Sequence, residues 1–484
     1  MFFPEVMEKA SKKIEKKCVA VERNLKMSSE KQKRSKFSSR LGFVLSAAGS
    51  AVGLGNIWRF PYLAAKYGGG IFLLVYLLLM LTFGYTMIIA ESAIGRMTRK
   101  SPVGAYAHFG KDWMFKAGGW INAIIPILIV PYYSVIGGWV CKYLFGYIQG
   151  ETEAMATAEY FTAFIGNGVK TEFWFLIFTL LVLWVIFMGV ENGIEKVSTF
   201  MMPILVILAI LLSIYAITRK GAFAGVKYFL VPNIKNFSWM TVVSAMGQMF
   251  YSLSIAMGIL ITFGSYMKSD LSIEESTSHV EVFDTAIAVL AGLMIIPAVF
   301  AFSNGDPSVL KAGPSLMFIT MPKIFASMGF GRVVGILFFA LVFFAALTSA
   351  IALAESAVST FQDELKWSRR RSTVVLLLIM VALGTLSALS YGPLSFVTIL
   401  KNMPFLDFFD FLTNSVMMPI AAMATCLLVV RVIGVEGIAA EVMRKDAPFK
   451  RKAVFNFMIK YLCPFFVAII LFSSVAGVLG WIKF

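Results

Sequence analysis

The chain has 484 residues, of which 59% are hydrophobic and only 14% charged, and its mean hydropathy is +0.81. Its apolar stretches repeatedly exceed the roughly 20 residues that cross a bilayer, which excludes an ordinary soluble protein. A net charge of +16 would suggest nucleic-acid binding in a soluble domain, but here most Lys and Arg residues fall on alternate loops. We therefore expect the lipid bilayer, and no nucleic acid, as a partner.

The sequence does not support an enzyme or a disulfide-stabilised protein. The four cysteines lie far apart without CxxC spacing, and the chain has only two histidines. The glycine-rich segments 53–55 and 68–70 lack the Lys and Ser/Thr of a phosphate-binding loop, and no nucleophile elbow or metal-binding helix is found. We do not expect an enzyme.

Residues 1–37 are polar and rich in lysine, with neither the apolar core nor the cleavage site of a signal peptide. This composition predicts a cytoplasmic N-terminal tail, either disordered or a peripheral helix. Met27 lies shortly before the first apolar segment and is a candidate start of translation.

Eleven apolar segments follow, and each predicts a membrane-spanning helix, called here spans 1 to 11. They lie near residues 40–65, 71–96, 117–147, 173–189, 194–217, 239–267, 279–302, 332–363, 373–391, 404–432 and 456–481.

An odd number of spans places the two ends of the chain on opposite sides of the membrane. The basic tail and the basic loops around 99–100, 366–371 and 444–452 then share one side. Since cytoplasmic loops carry the excess of Lys and Arg, we expect a cytoplasmic N-terminus and an external C-terminus in the inner (plasma) membrane. The loop 219–235, with four basic residues on the other side, weakens the contrast.

The segment 49–62 is unusual for a membrane helix. It reads GSAVGLGNIWRFPY and so places three glycines, an amide and an arginine inside an apolar stretch. Lipid offers backbone groups no hydrogen-bond partners, so a helix break is tolerated only where the freed groups find other partners. We expect a discontinuous helix that binds an ion and an anionic solute near the middle of the bilayer.

Span 6 shows the same irregularity, because residues 248–258 (QMFYSLSIAMG) place hydroxyl groups and a glycine in mid-membrane. The two irregular spans are five apart, which suggests that the chain repeats after five spans. An odd number of crossings inverts the second copy, as in secondary transporters. We predict one repeat over 38–218, the second over 238–433, and span 11 (453–484) outside the repeats.

Residues 40–42 (RLG), 53–62 (GLGNIWRFPY) and 68–70 (GGG) together resemble the first-helix signature of the neurotransmitter:sodium symporters, with the bacterial leucine-transporter branch most similar. The likeness extends from Arg34 to Asp410. Several bacterial members of the family also have eleven spans rather than twelve. The resemblance implies an all-α integral membrane protein with 11 transmembrane helices in a 5+5 inverted repeat, with helices 1 and 6 discontinuous. It also implies sodium-coupled amino-acid uptake.

The resemblance implies two sodium sites built from oxygen atoms, which suit a hard cation. The alternative for their hydroxyl groups is plain helix packing, with hydrogen bonds to preceding carbonyls. The first ion would be held by Ala51, Asn56, Ser252 and Asp284 and would touch the substrate carboxylate; the second would be held by Gly49, Val52, Ala345, Thr348 and Ser349.

Asp284 departs from the amide usual in the family. A carboxylate inside a span is costly unless it faces a cation or a water-filled cavity, although a protonated acid bonded to a neighbouring helix is the alternative. Chloride-dependent relatives bind the anion near this place. We expect Asp284, with Glu91, to supply that negative charge and to remove the chloride requirement.

By the same resemblance, the substrate carboxylate would meet the backbone amides of Leu54 and Gly55 and the Tyr133 hydroxyl. Gly53 replaces the aspartate of monoamine-carrying relatives, which indicates an amino-acid substrate. Tyr251 and Met257 favour large apolar or aromatic side chains such as Leu, Met, Tyr or Trp. The full set of expected substrate contacts is Ala51, Leu54, Gly55, Ile129, Tyr133, Tyr251, Ser252, Ser254, Met257, Ser349 and Leu353.

Two gates are implied. Arg59 and Asp410, with Gln248 steadying the arginine, match the outer gate of the family, and Arg34, Tyr266 and Asp363 match the inner gate. The alternative interpretation of Asp363 is an ordinary charged loop residue. Glu195 is expected only to shape the turn before span 5.

Two alternatives remain open at this point. A proton-coupled amino-acid permease of the same fold would be expected to replace the second sodium site with a basic residue, and the pair Thr348-Ser349 speaks against it. A non-transporting amino-acid sensor or gated conductance would bind the solute without accumulating it.

Overall fold

The computed structural model describes residues 36–110, 112–303, 313–479 and 481, and all structural statements below refer to these. Within them the chain is helical, and the only β-type pairing is one isolated bridge between Ile399 and Met403. Residues 1–35 of the predicted tail, Met27 among them, lie outside the described residues.

Nine of the described helices are long and apolar enough to cross a membrane. These are span 2 (Gly70–Thr98), span 3 (Trp113–Gln149), span 4 (Gly168–Met188), span 5 (Val190–Ile217), span 7 (Ile273–Phe302), span 8 (Gly331–Glu364), span 9 (Arg369–Ala388), span 10 (Phe405–Ile433) and span 11 (Lys452–Val478).

Spans 1 and 6 are both broken, as predicted. Span 1 consists of Arg40–Ala51 and Gly55–Lys66, which meet at a bend of 52°. Span 6 consists of Trp239–Ser252 and Ile259–Tyr266, separated by residues 253–258. With these two, the architecture is consistent with eleven crossings, and the predicted all-helical membrane fold is confirmed.

Spans 4, 7 and 9 begin several residues before the start expected from hydropathy. Each has a capping side chain, from Asn167, Ser272 or Ser368, which accepts a hydrogen bond from a backbone amide of the first turn. Capping satisfies amides that would otherwise lack partners. These helices therefore extend through charged residues beyond the apolar stretch.

The break in span 6 contains strained backbone. Ser254 and Ala256 have φ values of 54° and 61°, the left-handed region that is costly for residues with a side chain, and Gly258 follows at 69°. Each non-glycine residue in this conformation costs about 1–2 kcal/mol. Such a cost persists only where surrounding contacts hold the segment in place. The amide of Ala256 is held by Glu91, whose Oε1 accepts its hydrogen bond at 2.9 Å.

Long helices enclose the broken spans. The first half of span 1 packs against spans 5, 7 and 8, and the second half of span 6 packs against span 2. The last contact is close: a Cβ atom at Gly95 would lie 2.0 Å from the carbonyl oxygen of Ile261. Small residues at such crossings let membrane helices approach through their backbones.

The substitution Gly95→Ala should therefore force span 2 away from span 6. We expect a loss of about 1–3 kcal/mol of stability, as for overpacking in a dense core, measured as a lower melting temperature of the purified protein. Gly166→Ala is the matched control, because nothing lies within 4 Å of a Cβ atom there. Equal melting temperatures for the two variants would contradict this packing.

Candidate functional site

The carboxylate of Asp284 joins both helix breaks. It is fully buried in span 7. Its Oδ1 accepts hydrogen bonds from the Asn56 amide nitrogen and the Ser252 hydroxyl, both at 2.8 Å, and its Oδ2 accepts one from the Tyr76 hydroxyl at 2.8 Å. Asn56 and Ser252 lie at the breaks of spans 1 and 6. Three of the four residues expected to hold the first ion thus meet at one point, and Ala51 lines the adjoining cavity.

No cation of the described part of the chain neutralises this carboxylate. Among the described residues, no ion pair within 4.0 Å includes Asp284. The described residues also hold no group of three or more His, Cys, Asp or Glu side chains suited to a transition metal. Carboxylate, hydroxyl and amide oxygens are the donors that a hard cation accepts. The donor set therefore fits a monovalent cation.

The break in span 1 places its amides beside polar side chains. The Gly53 amide donates to the Asn56 Oδ1 at 3.1 Å, and the Leu54 amide points to the Tyr133 hydroxyl at 3.4 Å. Leu54 and Tyr133 are both buried. Amides at such a half-helix terminus attract a carboxylate, because the helix dipole and the hydrogen bonds act together.

A second group of oxygens lies between spans 1 and 8. The Ser349 hydroxyl is 3.3 Å from the carbonyl oxygens of Gly49, Ser50 and Val52. Thr348 bonds back to its own helix, at 2.9 Å to the carbonyl of Phe344 and 3.2 Å to that of Ala345. All five residues expected at the second sodium site therefore lie at this crossing. The bonding of Thr348 is also that of a packing residue.

A small cavity of about 30 Å³ lies between the two breaks. Its walls contain Ser50, Gly53 and Ile259 in addition to the expected substrate contacts. Gly53 leaves no room for a side chain, because a Cβ atom there would lie 2.7 Å from the Ser349 Oγ and 3.1 Å from the Tyr133 hydroxyl. The cavity walls include every expected substrate contact, namely Ala51, Leu54, Gly55, Ile129, Tyr133, Tyr251, Ser252, Ser254, Met257, Ser349 and Leu353.

The residues expected at the outer gate lie near the cavity without closing on each other. The Arg59 guanidinium carbon is 5.2 Å from the centre of the Tyr251 ring. Asp410 accepts hydrogen bonds from Tyr132 at 3.3 Å and Asn414 at 2.6 Å. In the described ranges, no ion pair within 4.0 Å joins Arg59 to Asp410.

Gln248 contacts a different partner from the one predicted. Its Nε2 donates a hydrogen bond to the carbonyl oxygen of Gly55 at 3.0 Å. Among the described residues, Gln248 forms no hydrogen bond with Arg59. The reason is the helix break, which leaves the Gly55 carbonyl facing span 6. Gln248 therefore bridges the two broken spans.

At the opposite end of the site, Arg34 lies outside the described residues. Asp363 accepts a hydrogen bond from the Ser101 amide at 2.6 Å. Tyr266 donates to Glu355 at 2.8 Å, and Glu355, which is fully buried, pairs with Arg369 at 2.5 Å.

Sequence reasoning missed Glu355, Arg369 and Tyr76. Glu355 could have been found by the argument applied to Asp284, since a carboxylate within an apolar span is costly without a partner. Tyr76 carries no such signal, because a tyrosine in a membrane helix is usually a packing residue.

The comparisons with known proteins identify the family. A family model described as the sodium:neurotransmitter symporter family matches residues 34–163 and 166–480. The chain belongs to this family, which confirms the resemblance seen in the first span, and it is a sodium-dependent symporter of the family.

Two bacterial relatives are similar over nearly the whole chain. The uncharacterized sodium-dependent transporter YhdH of Bacillus subtilis is 35% identical and covers 93% of this chain and 99% of its own. An uncharacterized sodium-dependent transporter of Haemophilus influenzae is 31% identical, covering 93% of this chain and all of its own. The crystal structure of MhsT in complex with L-phenylalanine is 36% identical, with a TM-score of 0.81 over 91% of this chain and 100% of that chain.

Removing the Tyr76 hydroxyl should weaken sodium binding, because it takes one of three hydrogen bonds from Asp284. We expect Tyr76→Phe to raise the sodium concentration for half-maximal stabilisation about tenfold or more, the effect of losing one hydrogen bond to a charged group. Tyr143→Phe is the matched control, since that buried hydroxyl bonds the carbonyl of Phe318 instead. The measurement is a sodium titration of thermal stability, and identical curves for the two variants would contradict the role of Tyr76.

Proposed function

We propose that the chain is a sodium-coupled amino-acid symporter which takes up large apolar or aromatic amino acids, without chloride, by alternating access. The observation that carries this proposal is the buried Asp284 carboxylate, which lies where the two helix breaks meet and forms no ion pair within 4.0 Å with any described residue. A charge in that position is costly unless a cation accompanies it. A bound sodium ion would neutralise it.

Coupling between ion and solute follows from the arrangement of the cavity. The Leu54 amide and the Tyr133 hydroxyl face the same small space that Ala51 and Ser252 line. A substrate carboxylate bound there would lie beside the first sodium ion. Each ligand then strengthens the binding of the other, which is the thermodynamic condition for symport.

The second sodium ion is proposed between spans 1 and 8, at Gly49, Val52, Ala345, Thr348 and Ser349. Its departure would loosen the first half of span 1 and open the site toward the cytoplasm. We further propose that the N-terminus is cytoplasmic and the C-terminus external in the inner membrane. The segments 38–218 and 238–433 are proposed as the inverted repeats whose relative motion exposes the site to each side in turn.

The walls of the cavity support a large apolar or aromatic substrate. Ile129, Tyr251, Met257 and Leu353 supply apolar surface, and methionine adapts its shape readily. MhsT, the similar protein of known structure, was crystallised with L-phenylalanine. The cavity of about 30 Å³ is smaller than such a side chain, so Tyr251 and Met257 would have to move apart on binding.

The proton-coupled alternative finds less support. A basic side chain in place of the second sodium ion would be its expected mark, but the hydroxyl residues Thr348 and Ser349 stand at that position. An amino-acid sensor would bind the solute as a symporter does but would not transport it. Accumulation of the amino acid in vesicles against its gradient therefore distinguishes the two.

Thermal stability offers a direct test of substrate and ion together. The purified protein should be stabilised by Leu, Met, Phe, Tyr or Trp in sodium and not in choline, by about 2.7 kcal/mol when the ligand is at 100 times its dissociation constant. Thr348→Ala should weaken this sodium dependence while the protein still folds. Equal stabilisation in choline would contradict sodium coupling, and uptake into vesicles at acid pH without sodium would favour the permease.

Chloride independence has its own test. Sodium-driven uptake into proteoliposomes should be the same in chloride and in gluconate, because Asp284 already supplies the negative charge. Asp284→Asn should lose uptake in gluconate and regain part of it in chloride. Loss of wild-type uptake in gluconate would refute the proposed role of Asp284.

A further inference from the structure

The start of span 1 is held by one carboxylate from a distant part of the chain. Glu195 accepts four hydrogen bonds from two consecutive serines: from the Ser38 amide at 2.7 Å, the Ser38 hydroxyl at 2.6 Å, the Ser39 amide at 3.1 Å and the Ser39 hydroxyl at 2.9 Å. It is only 5% exposed. Among the described residues, Glu195 forms no ion pair within 4.0 Å.

This arrangement does more than shape a turn. Ser39 caps span 1, and its hydroxyl accepts the Gly42 amide at 2.9 Å while it donates to Glu195. The negative charge of Glu195 also lies at the positive end of the helix dipole. Glu195 thus satisfies the free amides at the start of span 1 and orients the cap.

Gly42 is shaped to this carboxylate. A Cβ atom at Gly42 would lie 1.9 Å from the Glu195 Oε1. Any side chain at position 42 would displace Glu195 from the serines while leaving every hydrogen-bonding group in place. The chain therefore offers two independent ways to break the same contact.

Neighbouring contacts hold the same end of the span to span 6. Phe37 is buried against the rings of Phe43, Phe263 and Tyr266, at 5.5, 5.6 and 6.2 Å between ring centres. Lys268, which follows span 6, donates a hydrogen bond to the Ser38 carbonyl. Glu195 lies instead at the start of span 5, so it alone among these contacts ties span 1 to that helix.

We propose that Glu195 is a positioning residue for transport: it clamps the start of span 1 to span 5, and release of this clamp is required for the site to open toward the cytoplasm. The inference rests on the proposed function, in which the first half of span 1 moves away from span 8. That movement carries Ser38 and Ser39 with it and must break the four hydrogen bonds.

The test measures the position of span 1 rather than stability. A reporter, Ser46→Cys in a Cys18→Ser background, places a thiol at a buried position in the first half of span 1. The other cysteines, Cys141, Cys426 and Cys463, are buried. Glu195→Gln and Gly42→Ala should each increase the rate at which a polar thiol reagent modifies the reporter about tenfold, as expected for a lost charge-assisted hydrogen bond.

Sodium should slow modification in the parent protein, and both variants should need more sodium for the same protection. Because the two substitutions break one contact, their effects should not add in the double variant. Glu191→Gln is the matched control: it lies on the same turn and is exposed, and it should leave the reporter unchanged.

Unchanged modification rates in both variants would overturn the proposal, as would full additivity. If Glu195→Gln fails to fold, Gly42→Ala decides, since it retains every polar group. The reporter needs no transported substrate. Absence of sodium-dependent amino-acid binding by the parent protein would therefore refute the proposed function, while the reporter rates still judge the clamp.

Discussion

The structure depends on the buried carboxylate of Asp284, to which the described residues bring no positively charged partner within 4.0 Å. Its oxygens accept hydrogen bonds from one amide and two hydroxyls, none of which carries a positive charge. A low dielectric makes such a site unfavourable for an isolated anion and favourable for a pair of ions. The breaks in spans 1 and 6 bring the Asn56 amide and the Ser252 hydroxyl to this carboxylate, and in the proposed function a bound sodium ion would neutralise it.

Strain in the backbone is the second part of the same design. Ser254 and Ala256 occupy left-handed conformations, and Glu91 and the carbonyl of Ser50 hold this segment through hydrogen bonds. Interrupted helices expose polar groups that lipid cannot satisfy. Here the segment is held from two sides, by a side chain of continuous span 2 and by a backbone carbonyl of span 1, so the two broken spans also support each other.

Local sequence patterns were sufficient to locate the two helix breaks, and the resemblance to the family supplied the fold and the residues expected at the site. Glycines, an amide and an arginine within one apolar stretch identified the break in span 1, because those residues disagree with an uninterrupted membrane helix. The partners that stabilise the site were harder to predict. Tyr76 meets Asp284 across 208 positions of the chain, and Ser38 meets Glu195 across 157. Neither pairing leaves a periodic or compositional trace, since each depends on how helices are arranged in three dimensions. Gln248 is a further example: it was expected to contact Arg59, but the arrangement of the helices brings it to the carbonyl of Gly55.

The crowding around Gly53 restricts how the specificity of this transporter can change. The Ser349 and Tyr133 hydroxyls already occupy the space into which a side chain at position 53 would extend. An acidic side chain introduced there would meet the hydroxyls of Ser349 and Tyr133, both of which line the cavity. On the proposed function, a change from amino-acid to amine transport by an acidic residue at position 53 therefore requires these two side chains to shift at the same time.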